Sequence, residues 1–266
     1  MATALVTGGT SGIGAAFATA LAGRGFDLVL VARNAERLEQ TAAQLRATGR
    51  TVDIIAADLS DRADVAKLAA RIEDTSSPIE VVVNNAGFGV HARLTDPDTS
   101  EFDNAIEVMC RSVAVLSGAA ARAMRERGHG TIINVSSTAG YITTGGYSAV
   151  KGFVTTYTEA LAVELAGSGV RVTALCPGWV RTEFHDRAGI STRSIPSSLW
   201  IDVDRLVTDA LRDAGRGVVI SIPSFRFKAL MVLVKFAPRA WIRWISGRMS
   251  SSRRAATAAA QSGVRR

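Results

Sequence analysis

Cysteine is scarce in this chain. Only Cys110 and Cys176 occur, and no Cys-x-x-Cys pair exists. A disulfide framework and a zinc cluster are both excluded on that ground, no metal is expected, and a reducing compartment fits. Acidic residues are absent from 221–266, which hold ten Arg or Lys. The whole chain has 31 basic and 24 acidic residues, so the first 220 residues keep 21 basic against 24 acidic, a net of −3. The formal charge of +7 therefore belongs to the tail. The body shows no basic face, and a nucleic-acid partner is not expected. No basic and apolar leader precedes the strand-like run at Thr3, so a cytoplasmic location is expected. No domain-sized linker and no repeat of about 20–50 residues interrupts the body.

What is present is enough for one large core: 266 residues, 47% of them hydrophobic and 21% charged. Short branched apolar runs lie at 4–7, 28–32, 52–56, 81–84, 131–135, 170–175 and 217–220. They show little alternation, as strands covered on both faces must. Helical patterns lie between them. Residues 34–47 place Leu38 and Leu45 seven apart, and 61–74 begin on an acidic cap after Ser60. The alternation predicts an α/β fold, a Rossmann-like doubly wound parallel sheet of about seven strands with helices on both faces. Residues 1–220 form that domain. Residues 221–249 read as a basic, hydrophobic C-terminal extension, and 250–266, made mostly of Ser, Ala and Arg, as a disordered tail. The stretch from Trp179 to Trp200 lacks periodicity and occupies the place of a substrate lid.

The first strand is followed by Thr7-Gly8-Gly9-Thr10-Ser11-Gly12-Ile13-Gly14, which opens a helix. Glycines there permit a tight turn and let backbone N–H groups approach a pyrophosphate, with the helix N-terminus adding positive potential. Gly8, Thr10, Ser11, Gly12, Ile13 and Gly14 are the predicted cradle; a merely structural turn is the competing reading. After the second strand comes Val31-Ala32-Arg33-Asn34, with no carboxylate to accept a ribose 2′-hydroxyl. Arg33 can fork onto a 2′-phosphate, which favours NADP(H) over NAD(H); a solvated arginine is the alternative. Asp58 and Leu59 after the third strand, and Asn84-Asn85-Ala86-Gly87 after the fourth, lie at strand carboxyl ends, where ligands bind in open sheets.

These motifs, with Ser136-Ser137, Tyr147-x-x-x-Lys151 and Pro177-Gly178-Trp179-Val180-x-Thr182, resemble the short-chain dehydrogenase/reductase family over roughly residues 3–220. The resemblance implies hydride transfer between a nicotinamide and a carbonyl or alcohol carbon. It implies that Tyr147 is the proton donor, that Lys151 also holds the nicotinamide ribose, and that Ser137 steadies the substrate oxygen. Asn85, Ala86, Gly87 and Val180 line the cofactor, and Pro177, Gly178 and Thr182 hold its carboxamide, with Thr182 as a helix cap the rival reading. The spacing suits the chemistry. Lys151 lies one helical turn beyond Tyr147. A cation about 4 Å from a phenol is worth ~4 kcal/mol at an effective dielectric of 20, or about three pKa units. The phenol is therefore expected to be acidified.

Two features depart from the family pattern. Met109 stands in Ile106-Glu107-Val108-Met109-Cys110, where the family carries an Asn whose backbone carbonyl holds a relay water. Ser137 lies ten residues before Tyr147 rather than about thirteen, so 138–146 is shortened by three. Ser136 is the fallback hydroxyl, with Thr143 and Thr144 behind it. Cys110 and Cys176 read as small buried hydrophobes. The departures support a rival function, a catalytically impaired nucleotide-binding protein acting as a sensor or membrane-surface scaffold.

In the tail, the uncharged run 229–234 is far below the roughly 20 residues that span a bilayer, and Pro238 divides 224–247 into two short helices. Lys228, Lys235, Arg239 and Arg243 among Phe, Leu and Trp suit an interfacial helix at a membrane surface; an apolar stripe docked on the body is the other reading. Extensions of this kind occur in family members that act on lipids and steroids, which points to a lipophilic substrate. The resemblance also implies a homodimer or homotetramer built on the fourth and fifth helices, and Gly118 with the run 119–123 offers a small-residue face. Arg33→Asp should weaken NADPH and spare or improve NADH in a fluorescence titration; unchanged affinities for both would refute the assignment.

Overall fold

The computed structural model describes residues 2–183 and 196–248, so the predicted disordered tail 250–266 and most of the predicted lid lie outside the described residues. Branched apolar segments pair into one seven-stranded sheet. Its strands are β1 (Thr3–Thr7), β2 (Asp27–Ala32), β3 (Val52–Ala56), β4 (Ile79–Asn84), β5 (Gly130–Val135), β6 (Val170–Leu175) and β9 (Ile220–Ser221). The order is β3-β2-β1-β4-β5-β6-β9, with every pairing parallel. The order in which strands are added reverses between β1 and β4, the switch point at whose carboxyl ends ligands bind in such sheets.

Side chains of period two explain why these runs are apolar throughout. Ala4, Val6, Leu28 and Leu30 bury themselves on one face against α1 (Gly12–Gly23), α2 (Ala35–Arg46) and α7 (Val203–Gly215). Leu5, Val29, Val31 and Val82 bury themselves on the other, against α3 (Arg62–Glu73), α5 (Ser112–Arg127) and α6 (Gly146–Glu164). Three helices start where the sequence supplies a side-chain acceptor. Asn34 accepts from Arg37 N at 2.8 Å, Asp61 from Ala63 N at 2.7 Å, and Asp202 from Arg205 N at 3.1 Å. The predicted helices 34–47 and 61–74 thus begin one residue later, with their first residues as caps.

The last strand differs from expectation. Gly217 sits in a turn at φ +72°, and pairing starts only at Ile220, against Ala174. The apolar run could not show where β6 offers a free edge. The predicted lid is also partly ordered. β7 (Trp179–Val180) pairs parallel with β8 (Trp200–Ile201), and the rings of Trp179 and Trp200 lie 6.2 Å apart. Ala119, Ala120, Ala121 and Ala123 are buried within the single chain, so this small-residue run serves the core. After β9, α8 (Phe225–Phe236) and a helical segment over 239–248 meet at Pro238, whose carbonyl accepts from Trp241 N and Ile242 N. No helix of the described residues is long and apolar enough to cross a membrane.

A polar knot lies inside this apolar frame. Asn84 Nδ2 donates to Asn134 Oδ1 (2.9 Å) and to Ser117 Oγ (3.0 Å). Ser117 Oγ donates to Asn134 Oδ1 (3.0 Å), and Asn134 Nδ2 to Thr158 Oγ1 (3.0 Å). The knot ties β4, β5, α5 and α6 beneath the crevice. Buried groups that lose a partner bear their full desolvation penalty. Asn134→Leu strips partners from both Asn84 and Ser117, and should lower stability by at least about 2 kcal/mol, seen as a fall in the urea midpoint at constant slope. An unchanged midpoint would show that the knot is not stabilising.

Candidate active site

The glycine loop is built by hydrogen bonds between two strand tips. Thr7 Oγ1 accepts from Asn85 N (2.9 Å) and Ala86 N (3.1 Å). Asn85 Nδ2 donates back to Thr7 O at 3.0 Å and Gly8 O at 3.4 Å. Gly8 (φ +66°) and Gly12 (φ +53°) take backbone conformations that disfavour other residues. A Cβ on Gly14 would run into the Gly8 carbonyl and the Asn85 amide. Helix α1 starts at Gly12 with Ser11 at the N-cap, yet the Ser11 side chain makes no capping bond and no acid stands in the first turn. The first turn of α1 thus carries no side-chain cap and no acid. A loop so tight, ending on uncapped amides, fits a pyrophosphate.

Arg33 is exposed at the end of β2. Across the tip of β3, the Asp58 carboxylate accepts from Ser60 N (2.9 Å) and Ser60 Oγ (2.8 Å), which hold it below the usual carboxylate range, and the Arg33 charge adds to this. Leu59 is buried beside it. Arg37, in the first turn of α2 and four residues after Arg33, donates to the loop carbonyl of Thr10 at 3.5 Å and lies 3.9 Å from Glu183. Its four-residue spacing from Arg33 is a signal that the sequence itself carries.

Helix α6 carries the reactive groups. Gly145, at φ +107°, turns the chain into it, and Tyr147 and Lys151 follow on one face. Tyr147 is half-buried against Ala105, Met109, Cys110 and Val150, and its hydroxyl shares a hydrogen bond with Ser137. Lys151 is 4% exposed; its Nζ donates to Val135 O at 2.9 Å and stands 5.7 Å from the centroid of the Tyr147 ring. The expected acidification of the phenol is not what this geometry gives. Burial pushes Tyr147 up to about 12, against a smaller lowering by Ser137. Burial pulls Lys151 down to about 8, against smaller raising contributions from Cys110 and Cys176. Desolvation dominates at both groups, while a backbone carbonyl holds the ammonium.

The hydroxyl alternatives are now separated. Ser136 Oγ donates to Lys151 O (2.8 Å) and meets Thr155 Oγ1 (2.7 Å), so it braces α6 from behind. Thr144 Oγ1 meets Ser148 Oγ at 2.8 Å at the start of α6, and Thr143 N donates to Ser246 Oγ at 3.2 Å. Only Ser137, among these four, is brought to Tyr147. The shortened loop closes because Thr138–Tyr141 forms a 3-10 turn whose Gly140 lies so near Lys151 and Gly152 that a Cβ there would crowd their backbone.

Met109 lies in a π-helical turn, Glu107–Arg111, between α4 (Ser100–Ile106) and α5. It is fully buried, and its sulfur lies over Gly87, with Lys151 Nζ also alongside. The thioether thus helps to dry the lysine. Cys110 and Cys176 are buried and their thiols are pushed up to about 11 by burial, as expected of inert cysteines.

Pro177 is buried at the tip of β6, its carbonyl accepting from Thr138 N (3.0 Å) and Thr138 Oγ1 (3.2 Å). Val180 is buried in β7, and Thr182 stands 3.4 Å from where a Cβ of Gly12 would be. Gly178 is covered by the ring of Phe227 from α8, which a Cβ would overlap. No sequence signal could have linked residues so far apart. A separate hollow lined by Ala2, Glu80, His129 and Arg171 opens at the amino ends of the strands, away from all these groups.

A parallel sheet with a glycine turn at its switch point, and a Ser, Tyr and Lys beside it, defines a nucleotide-dependent dehydrogenase or reductase. The model of the short chain dehydrogenase family matches residues 2–190. A Staphylococcus aureus (strain USA300) protein described as an uncharacterized oxidoreductase is 36% identical over 182 residues, 67% of this chain and 78% of that protein. Among solved structures, a short-chain dehydrogenase from Sphingobium yanoikuyae in complex with NADPH is 34% identical, with a TM-score of 0.79 over 90% of this chain and 98% of that one. A bulky-bulky ketone specific alcohol dehydrogenase from Comamonas testosteroni is 31% identical, with a TM-score of 0.75 over 90% and 96%. The chain belongs to the short-chain dehydrogenase/reductase family and is an oxidoreductase of that family, whose members bind NAD(P).

The buried lysine predicts a pH signature. Its folded-state pKa lies below its ordinary value of 10.5, so the folded state favours the neutral amine. That contribution to stability is complete above 10.5 and is lost as pH falls through about 8. Relative to Lys151→Met, the cofactor-free protein should therefore gain thermal stability as pH rises from about 8 to about 10. Parallel melting curves across that range would sink this reading.

Proposed function

We propose that the chain is an NADP(H)-dependent reductase of a ketone or 3-oxoacyl carbonyl, also able to oxidise the corresponding alcohol, with Tyr147, Lys151 and Ser137 as its catalytic residues and a lipophilic substrate. The observation that carries this is the Tyr147 hydroxyl bonded to Ser137, with the Lys151 ammonium in the same enclosure one turn away. The glycine loop would hold the pyrophosphate, and Asp58, Leu59 and the Asn85–Gly87 turn would line the crevice. Pro177, Gly178 and Thr182 would hold the carboxamide end, and Val180 would line the cofactor. Arg33, with Arg37 near it, favours a 2′-phosphate over a bare ribose, in keeping with the NADPH in the Sphingobium relative.

A reduced nicotinamide, when bound, would supply the hydride. As the carbonyl carbon receives it, the C=O π pair moves to oxygen, and Tyr147 O–H gives that oxygen its proton. Ser137 holds the same oxygen, which keeps the carbonyl in reach of the phenol. With its pKa raised, Tyr147 keeps its proton at neutral pH until negative charge develops on the substrate. Lys151, mostly charged at pH 7, stabilises the phenolate left behind. Phe227 over Gly178 puts an apolar ring at the site's edge, which supports a lipophilic substrate, as does the relative specific for bulky ketones. Exposed Phe153 and Val163 on α6 support assembly with a second copy.

Mixing the protein with NADPH and a panel of ketones and 3-oxoacyl thioesters should show loss of absorbance at the reduced-nicotinamide band. Tyr147→Phe should cut kcat by about 10²–10⁴-fold with little change in NADPH affinity. Tight NADPH binding without turnover on any member of the panel would instead favour the nucleotide-binding scaffold.

A further inference from the structure

Helix α8 has two apolar faces, and the body uses only one. Phe227 and Met231 are buried, the first against Gly178. At about 100° per residue, Phe225, Val232, Leu233 and Phe236 fall within roughly 100° of one another on the opposite side. Phe225, Leu233 and Phe236 are 86%, 70% and 81% exposed. Arg226 flanks this stripe on one edge, and Lys228 and Lys235 on the other. The segment 239–248 repeats the plan. Ile242 and Ser246 are buried, the latter bonded by Thr143 N, while Trp241 and Trp244 are 67% and 60% exposed beside Arg239 and Arg243. A stripe docked on the body explains the inner faces and leaves the outer ones unexplained.

Charge decides what would cover them. Residues 221–266 contain no acid. A second copy joined through the same stripe in two-fold fashion would set these cations against their own images. Residues 249–266 add four arginines, with Met249 and Val264 as their only large apolar side chains, so they cannot cover the stripe either. A phosphate backbone would satisfy the cations and leave the aromatic and aliphatic side chains wet. We infer that residues 225–248 dock the protein on an anionic bilayer surface, with Phe225, Leu233, Phe236 and Trp241 entering the acyl boundary and the cations meeting headgroups. Lysine stems can lie along apolar surface while their ammonium groups reach the headgroup layer, and Trp favours that boundary. At twelve residues, α8 lies in the interface rather than spanning it. The inference is independent of the proposed reaction.

The test is co-sedimentation of the full chain with phosphatidylcholine vesicles, with and without phosphatidylglycerol. Binding should require phosphatidylglycerol and fall several-fold in high salt. Leu233→Ser with Phe236→Ser, and separately Lys228→Glu with Lys235→Glu, should each abolish most of it while NADPH affinity and melting temperature stay unchanged. These positions are all exposed, so neither variant should unfold the domain. Failure of the wild-type chain to bind phosphatidylglycerol vesicles, or equal binding by both variants, overturns the inference. A wild type that ignores vesicles but loses a dimer on Leu233→Ser with Phe236→Ser would assign the stripe to a second copy instead.

Discussion

The hydroxyl of Thr7 is the point on which the crevice depends. It accepts the amides of Asn85 and Ala86 while the Asn85 side chain returns bonds to Thr7 and Gly8. Two loops that leave adjacent parallel strands would otherwise part at the switch point, since the sheet ladder ends there. The stitch fixes their spacing and leaves Gly14 no room for a side chain. The Asn84–Asn134 knot extends the same polar bracing to β5, and Val135 at the tip of β5 then accepts the Lys151 ammonium. Placement of the lysine is in this sense inherited from hydrogen bonds that begin at Thr7.

Burial has an equally firm hand in the chemistry. The enclosure made by Met109, Cys110 and Val150 raises Tyr147 and lowers Lys151. The phenol thereby keeps its proton at neutral pH, while the ammonium, though eased toward neutrality, stays mostly charged there. Met109 contributes to this dryness in a position where the family resemblance leads one to expect Asn; it lies in a π turn with its thioether against Gly87.

Much of this was legible in the residues. The β/α alternation gave strands within one or two residues, except at the last, because branched runs can bury both faces only in a covered parallel sheet. Asn34 and Asp61 were readable as helix starts from their own side-chain chemistry. The glycine loop, Tyr147 and Lys151 were visible as spaced motifs. What stayed hidden was set by distance and direction. Nothing local shows that Ser136 turns back to Thr155 while Ser137 turns to Tyr147, or that Phe227 covers Gly178.

The chain by itself determined the order of elements, the family, the reactive residue types and the concentration of positive charge in the last 46 residues, because each follows from short-range pattern and composition. The tertiary structure decided which hydroxyl meets the phenol, how strongly two ionisable groups are desolvated, and which half of each C-terminal helix is left facing water. Those depend on which surfaces come together across the fold, and a linear pattern fixes spacing along a helix without saying what lies opposite it.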